Sequence, residues 1–133
     1  MPANETSSEV FGRLRAILQE LAPQLAVTKD EPRFYWMHTK PPGRREKPYI
    51  FGAVLAMDDG VKIHLPMLRS YPDLREQVSP ELRRYTPDQT IFIFPASGAD
   101  LTDVLLAELA GLAKTCLDRL KQDRRAERQD TLS

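Results

Sequence analysis

One predicted β-hairpin near the middle of the chain constrains the fold more than any other segment. Tyr49 to Met57 is apolar almost throughout, which is typical of a central strand covered on both faces. Asp58-Asp59-Gly60 follows, and Asp-Gly tolerates the positive backbone angles of a type I′ turn. Val61 to Leu65 then alternates apolar and polar side chains, as a returning strand does. The segment therefore predicts an antiparallel pair at the centre of a sheet.

Three further segments are predicted strands. Leu25 to Asp30 and Phe34 to Thr39 are rich in β-branched and aromatic side chains, and Glu31-Pro32 between them indicates a tight turn. Thr90 to Phe94 has the same character and is bounded by prolines. We expect about five strands in all.

Helices are predicted at both ends of the chain. Thr6 and Glu9 form a Thr-x-x-Glu capping box, and an apolar stripe follows it to Leu21. Asp100 is the expected cap of a long final helix with a leucine-rich stripe to Leu120, and two short helices are predicted between residues 72 and 84. Hairpin-linked strands bracketed by helices are typical of an α+β fold with an antiparallel sheet.

The length of 133 residues suits one domain. We predict a flexible N-terminus at residues 1–7, a single α+β domain at 8–122 and a charged tail at 123–133. Neither an internal repeat nor a second domain is indicated.

Charge and composition narrow the classes of function. The 19 basic and 19 acidic side chains cancel, whereas a general nucleic-acid binder carries a strong basic excess. No apolar run approaches the ~20 residues that span a bilayer, and the polar start lacks the apolar region of a signal peptide. We therefore expect a cytoplasmic protein without nucleic-acid or membrane partners.

A basic loop is predicted at residues 39–48. Its cations lie close in sequence to Tyr35, Trp36 and Tyr49, and such a group could hold a phosphate or a single strand. A solvated loop is the alternative, which the balanced charge favours. The cations are Lys40, Arg44, Arg45 and Lys47.

Common catalytic motifs are absent from the sequence: it has no Gly-rich phosphate loop, no Gly-x-Ser-x-Gly elbow and no His-Glu-x-x-His. Cys116, the only cysteine, falls in the leucine stripe, which predicts a buried, inert thiol. His38 and His64 could share a metal, but their spacing matches no metal motif, and exposed or hydrogen-bonded histidines are the alternative.

The central hairpin predicts a mixed sheet face. With Asp59-Gly60 as a two-residue loop, Leu55 opposes His64 and Met57 opposes Lys62, whereas a one-residue slip would turn these side chains to the other face. Either Phe92 and Phe94 or Ile91 and Ile93 would join them from the fifth strand. This face is a pocket floor, a dimer interface or plain core. The predicted ligand-binding residues are Phe51, Leu55, Lys62, His64, Arg69 and Tyr71.

Residues from about Leu25 to Leu112 also resemble the YdhG-like domain-of-unknown-function family. The resemblance rests on the series His64-Leu65, Pro72-Asp73-Leu74, Ser79-Pro80-Glu81-Leu82 and Phe92-Ile93-Phe94. The chain departs from the family at residues 87–90, Pro-Asp-Gln-Thr, where members often have a Gln-Gly-Lys-Ser-like loop. The resemblance implies a compact α+β fold and, for part of the family, a frataxin-like role as an iron chaperone.

Three hypotheses of function follow. The leading one is a non-enzymatic domain that binds a small ligand or a protein, including a second copy of itself, on the mixed face and needs no cofactor. The second is the iron chaperone, with iron on surface carboxylates of which Asp58, Asp59, Asp100 and Asp103 are the densest pairs. The third is an enzyme with His64 as general base and Arg69 or Tyr71 binding an anion.

Overall fold

Five strands form one antiparallel sheet whose spatial order is the chain order. The computed structural model describes residues 3–39, 50–58, 60–88, 90–95 and 101–132, with side chains described between residues 9 and 123. The sheet and its flanking helices confirm the predicted α+β fold. The strands are β1 (Ala26–Glu31), β2 (Phe34–His38), β3 (Ile50–Ala56), β4 (Gly60–His64) and β5 (Ile91–Pro95).

Two long helices bracket the sheet in sequence, α1 (Ala3–Gln19) and α4 (Asp103–Leu132). α1 begins three residues before the predicted capping box. The Oγ1 atom of Thr102 accepts a hydrogen bond from the Leu105 amide at 3.2 Å, so Thr102 supplies the side-chain cap of α4. Asp100, the predicted cap, lies outside the described residues.

The short helices are α2 (Pro72–Glu76) and α3 (Pro80–Arg83), and 3₁₀ turns occupy Ala22–Gln24 and Pro66–Ser70. Ser79 caps α3 by accepting from the Leu82 amide, and its hydroxyl donates to Glu108 of α4 at 2.6 Å. This contact attaches the connection between β4 and β5 to α4.

The core lies between the helices and one face of the sheet. α1 packs against β3 and β4 and against α4. Gly52 permits this close approach, because a Cβ atom there would lie 3.1 Å from Cδ2 of Leu18. Phe92 and Phe94 are fully buried in this core, whereas Ile93 is 38% exposed. The alternative left open for β5 is thus decided: the phenylalanines face the helices, and the isoleucines face away from them.

The central hairpin closes one residue earlier than predicted. The Met57 amide donates to the Gly60 carbonyl at 2.7 Å, so Met57 and Gly60 are the last paired residues of the hairpin. Leu55 therefore pairs with Lys62, and Ala53 pairs with His64. The residue of β4 opposite each residue of β3 thus differs from the prediction by two positions. An even difference keeps the side chains on their faces, so Leu55, Lys62 and His64 share one face, as predicted.

Within the described ranges, the helices lack the combination of length and apolar character that crossing a bilayer requires.

Candidate functional site

Two rows of side chains cross the sheet on the face turned away from α1. Strand pairing sets the first row as Phe34, Leu55, Lys62 and Ile93, and the second as Trp36, Ala53, His64 and Ile91. Most of these side chains are half-buried. The described helices therefore do not pack over this face.

A cavity of about 150 Å³ lies on this face. It forms because Ala53, between Trp36 and His64, contributes only a methyl group, while neighbouring strands are ~4.8 Å apart. Larger side chains on both sides thus surround a small one. The described lining residues are Phe34, Trp36, Ile50, Ala53, Leu55, Lys62 and His64.

Aromatic rings form one wall of the cavity. The ring centroids of Phe34 and Trp36 are 4.8 Å apart and the planes are inclined by 57°. The Nζ atom of Lys29 lies 5.0 Å from the Phe34 centroid and 5.8 Å from that of Trp36. This ammonium group therefore makes cation–π contacts at the outer edge of the wall.

His64 lies across Ala53 from the aromatic wall. Burial lowers the pKa of its imidazole below 6.5, Asp88 opposes the shift, and Lys62 and Arg69 add to it. The ring is therefore neutral at pH 7 and offers one donor and one acceptor nitrogen. Its Nε2 atom is buried and has no hydrogen-bond partner in the described part of the chain. An unsatisfied buried nitrogen costs about 1–3 kcal/mol.

Asp88 is held at the start of β5 by its own contacts. Its Oδ1 accepts from the backbone amides of Thr90 at 3.0 Å and Ile91 at 2.9 Å, and from the Thr90 hydroxyl at 3.0 Å. These hydrogen bonds lower the pKa of the Asp88 carboxyl. The carboxylate therefore acts on His64 only through space.

The predicted ligand-binding residues divide into two groups. Leu55, Lys62 and His64 meet at the cavity, but Phe51 is fully buried in the core. A bulge in β3 explains this: Met37 pairs with Gly52 and the next pair is His38 with Ile50, which leaves Phe51 without a partner in β2. Simple alternation would place Phe51 beside Leu55, whereas the bulge turns it toward the helices.

Arg69 and Tyr71 are not among the described residues that line the cavity. Arg69 is exposed in the Pro66–Ser70 turn. The Tyr71 hydroxyl donates to Asp123 of α4 at 2.8 Å, and Arg119 lies 4.8 Å over the Tyr71 ring while binding Asp73 at 2.6 Å. This cluster joins α2 to α4, and none of its members lines the cavity.

The two described residues of the iron hypothesis, Asp58 and Asp103, belong to no metal-binding group among the described residues. Asp58 is fully exposed, 3.6 Å from Arg33, and Asp103 is exposed in the first turn of α4. Asp59 and Asp100 lie outside the described residues, as does the basic loop from residue 40 onward. In the described part of the chain, no three His, Cys, Asp or Glu side chains are grouped closely enough to hold a metal ion.

The remaining candidates have structural surroundings. Cys116 is fully buried in α4, and burial raises the pKa of its thiol to about 12. The Nδ1 atom of His38 lies 2.6 Å from the Thr28 hydroxyl across the β1–β2 pair. Neither residue lines the cavity.

Sequence reasoning did not include four of the lining residues: Phe34, Trp36, Ile50 and Ala53. The alternation of Phe34, Trp36 and His38 along β2 was a usable signal, since it places two aromatic rings on one face. The sequence does not show that β2 pairs with β3, nor that Trp36 lies opposite Ala53 in that pair.

Comparisons of the chain with models of protein families, with curated proteins and with solved structures find no match. Membership of the YdhG-like family therefore stays a prediction from the sequence.

Proposed function

We propose that this chain is a non-enzymatic binding domain that holds a small organic ligand in the cavity over Ala53. The size of the cavity, about 150 Å³, is the main support. A protein cavity of this volume accepts one benzene-sized ring. The ligand is accordingly a compact molecule about the size of one ring.

The chemistry of the lining supports a small ligand as well. Ligand pockets are mainly apolar and aromatic, with a few polar groups that fix orientation. Five described lining residues are apolar or aromatic, and Lys62 and His64 supply the polar groups. A concave surface of this kind suits a small molecule better than the flat surface of a protein partner.

The side chains that line the cavity favour binding without catalysis. None of the described lining residues carries a hydroxyl, thiol or carboxylate. His64 carries the one imidazole among the described lining residues, and Arg69 and Tyr71 do not join it there. A general base without a positioned partner is a weak basis for an enzyme.

Trp36 makes the proposal directly testable. It is the only tryptophan of the chain, so its indole N–H gives one cross-peak in a ¹⁵N–¹H correlation spectrum. A library of single-ring fragments should yield compounds that shift this peak in the wild type and leave it unmoved in Ala53→Leu. Ala56→Leu, on the opposite face of β3, should retain the response.

Two results would refute the proposal. One is that no fragment of the library shifts the Trp36 peak. The other is fragment binding that survives unchanged in a folded Ala53→Leu protein, because the ligand would then lie elsewhere.

A further inference from the structure

One cation lines the cavity. Lys62 lies on β4 between its strand partners Leu55 and Ile93, and the residue is half-buried. In the described part of the chain, the ion pairs join other residues: Arg15 with Asp30, Arg33 with Asp58, and Arg119 with Asp73. The Lys62 ammonium group is therefore not neutralised by a described carboxylate.

Other charges near β4 leave the balance positive. Lys62 and Arg69 both act on His64 as cations, and Asp88 acts on it as the opposing anion. Asp88 is already engaged by three donors from Thr90 and Ile91. A bound anion would thus meet the Lys62 ammonium group in the cavity, whereas Arg69 and Asp88 act on this end only through space and with opposite charges.

The outer edge of the same face is more nearly balanced. β1 contributes Lys29 opposite Trp36 and Glu31 opposite Phe34, and both side chains are exposed. Lys29 contacts the aromatic rings. The cavity consequently has an apolar, nearly neutral end and a positive end.

A ligand that matches both ends is amphipathic. A ring seated over Ala53 is one strand spacing, ~4.8 Å, from β4. An acidic group attached directly to that ring can reach the Lys62 ammonium group, and a charge-assisted hydrogen bond to an anion is about twice as strong as a neutral one. Resting on the proposed function, we infer that the ligand is a planar ring bearing a single anionic group, such as an aromatic carboxylate, bound by Lys62.

Three probes of nearly equal shape separate charge from size: benzoate is an anion, benzamide is neutral and benzamidine is a cation. Titrations followed by the Trp36 indole peak should show benzoate binding about tenfold tighter than benzamide. Benzamidine should bind more weakly than both. Raising the salt concentration should weaken benzoate binding and leave benzamide binding nearly constant.

Two lysine variants identify the responsible cation. Lys62→Met keeps an apolar side chain of similar length and removes the charge. The ratio of the affinity for benzoate to the affinity for benzamide should therefore fall to within about twofold of unity. Lys29→Met is the matched control, because Lys29 lies on the same face but does not line the cavity. It should leave the ratio unchanged.

The outcomes distinguish the two proposals. Equal affinity for benzoate and benzamide in the wild type, or a ratio unaltered by Lys62→Met, overturns the anionic ligand while leaving a ring-binding domain in place. Failure of all three probes to move the Trp36 peak overturns the proposed function and this inference with it. Dispersed spectra of each variant establish that it is folded.

Discussion

Two alanines of β3 provide the sharpest test of the cavity. Ala53 and Ala56 are each 9% exposed, but Ala53 faces the cavity and Ala56 belongs to the core under the helices. Replacement by leucine adds three carbon atoms at either position. At ~0.8 kcal/mol per buried CH₂ group, these carbons contribute about 2.4 kcal/mol where free space exists.

The net effect at Ala53 is smaller than this contribution. Ordering a leucine side chain costs about 0.5–1 kcal/mol, and the mouth of the cavity leaves part of the side chain in water. We therefore expect Ala53→Leu to raise the free energy of unfolding by about 1 kcal/mol. Ala56→Leu should lower it by about 1–3 kcal/mol, because additional volume in a packed core forces side chains and backbone to shift.

Urea denaturation followed by far-ultraviolet circular dichroism measures both changes. Circular dichroism is preferable to fluorescence, since a leucine at position 53 would contact Trp36 and alter its emission. The slope of unfolding free energy against urea should stay constant if both states keep their compactness. Loss of stability in Ala53→Leu as large as in Ala56→Leu would show that no free space lies over Ala53, and the argument for a ligand would fail.

Three further predictions concern two glycine substitutions, the pKa of His64 and the burial of Cys116. Gly60→Ala should destabilise the protein by about 1–3 kcal/mol, because the new Cβ would lie 2.7 Å from the Phe94 carbonyl oxygen. Gly12→Ala should stabilise α1 by about 0.5–1 kcal/mol, since its Cβ would have nothing within 4 Å. Urea titrations that rank the two variants the other way would contradict the packing at β4. Burial lowers the pKa of His64 in the folded state, so the imidazole of the unfolded chain is protonated first as the pH falls. The free energy of unfolding should therefore decline below about pH 6.5, and by more in the wild type than in His64→Gln. Parallel curves of stability against pH for the two proteins between about pH 7 and pH 5 would refute this. Cys116, whose pKa is raised to about 12, should react with a thiol reagent at neutral pH only as fast as the protein unfolds, and immediate labelling of the native protein would contradict its burial.

The candidate site was predicted in part because one of its strands is regular. The alternation of Val61 to Leu65 places Lys62 and His64 on one face whichever strands flank them. Leu55 pairs with Lys62 and not with His64 as predicted, which is a difference in register of two residues. Because an even difference in register leaves each side chain on the same face, Leu55 still lies beside Lys62 and His64.

The remainder of the site depends on contacts between distant parts of the chain. Phe51 left the predicted group because a bulge against β2 adds one residue to β3, and alternation along β3 alone does not reveal it. Phe34 and Trp36 joined the group because β2, rather than another strand, lies beside β3.

Sequence patterns alone were sufficient to predict the α+β class, the strands and helices, and the common face of Lys62 and His64. Local periodicity and turn residues are sufficient for these features, since each concerns neighbours along the chain. The folded structure was needed to show that Ala53 lies between Trp36 and His64 and that α1 covers the other face of the sheet. A cavity is a relation between side chains on three strands, so it exists only once strand order, register and bulge are set together.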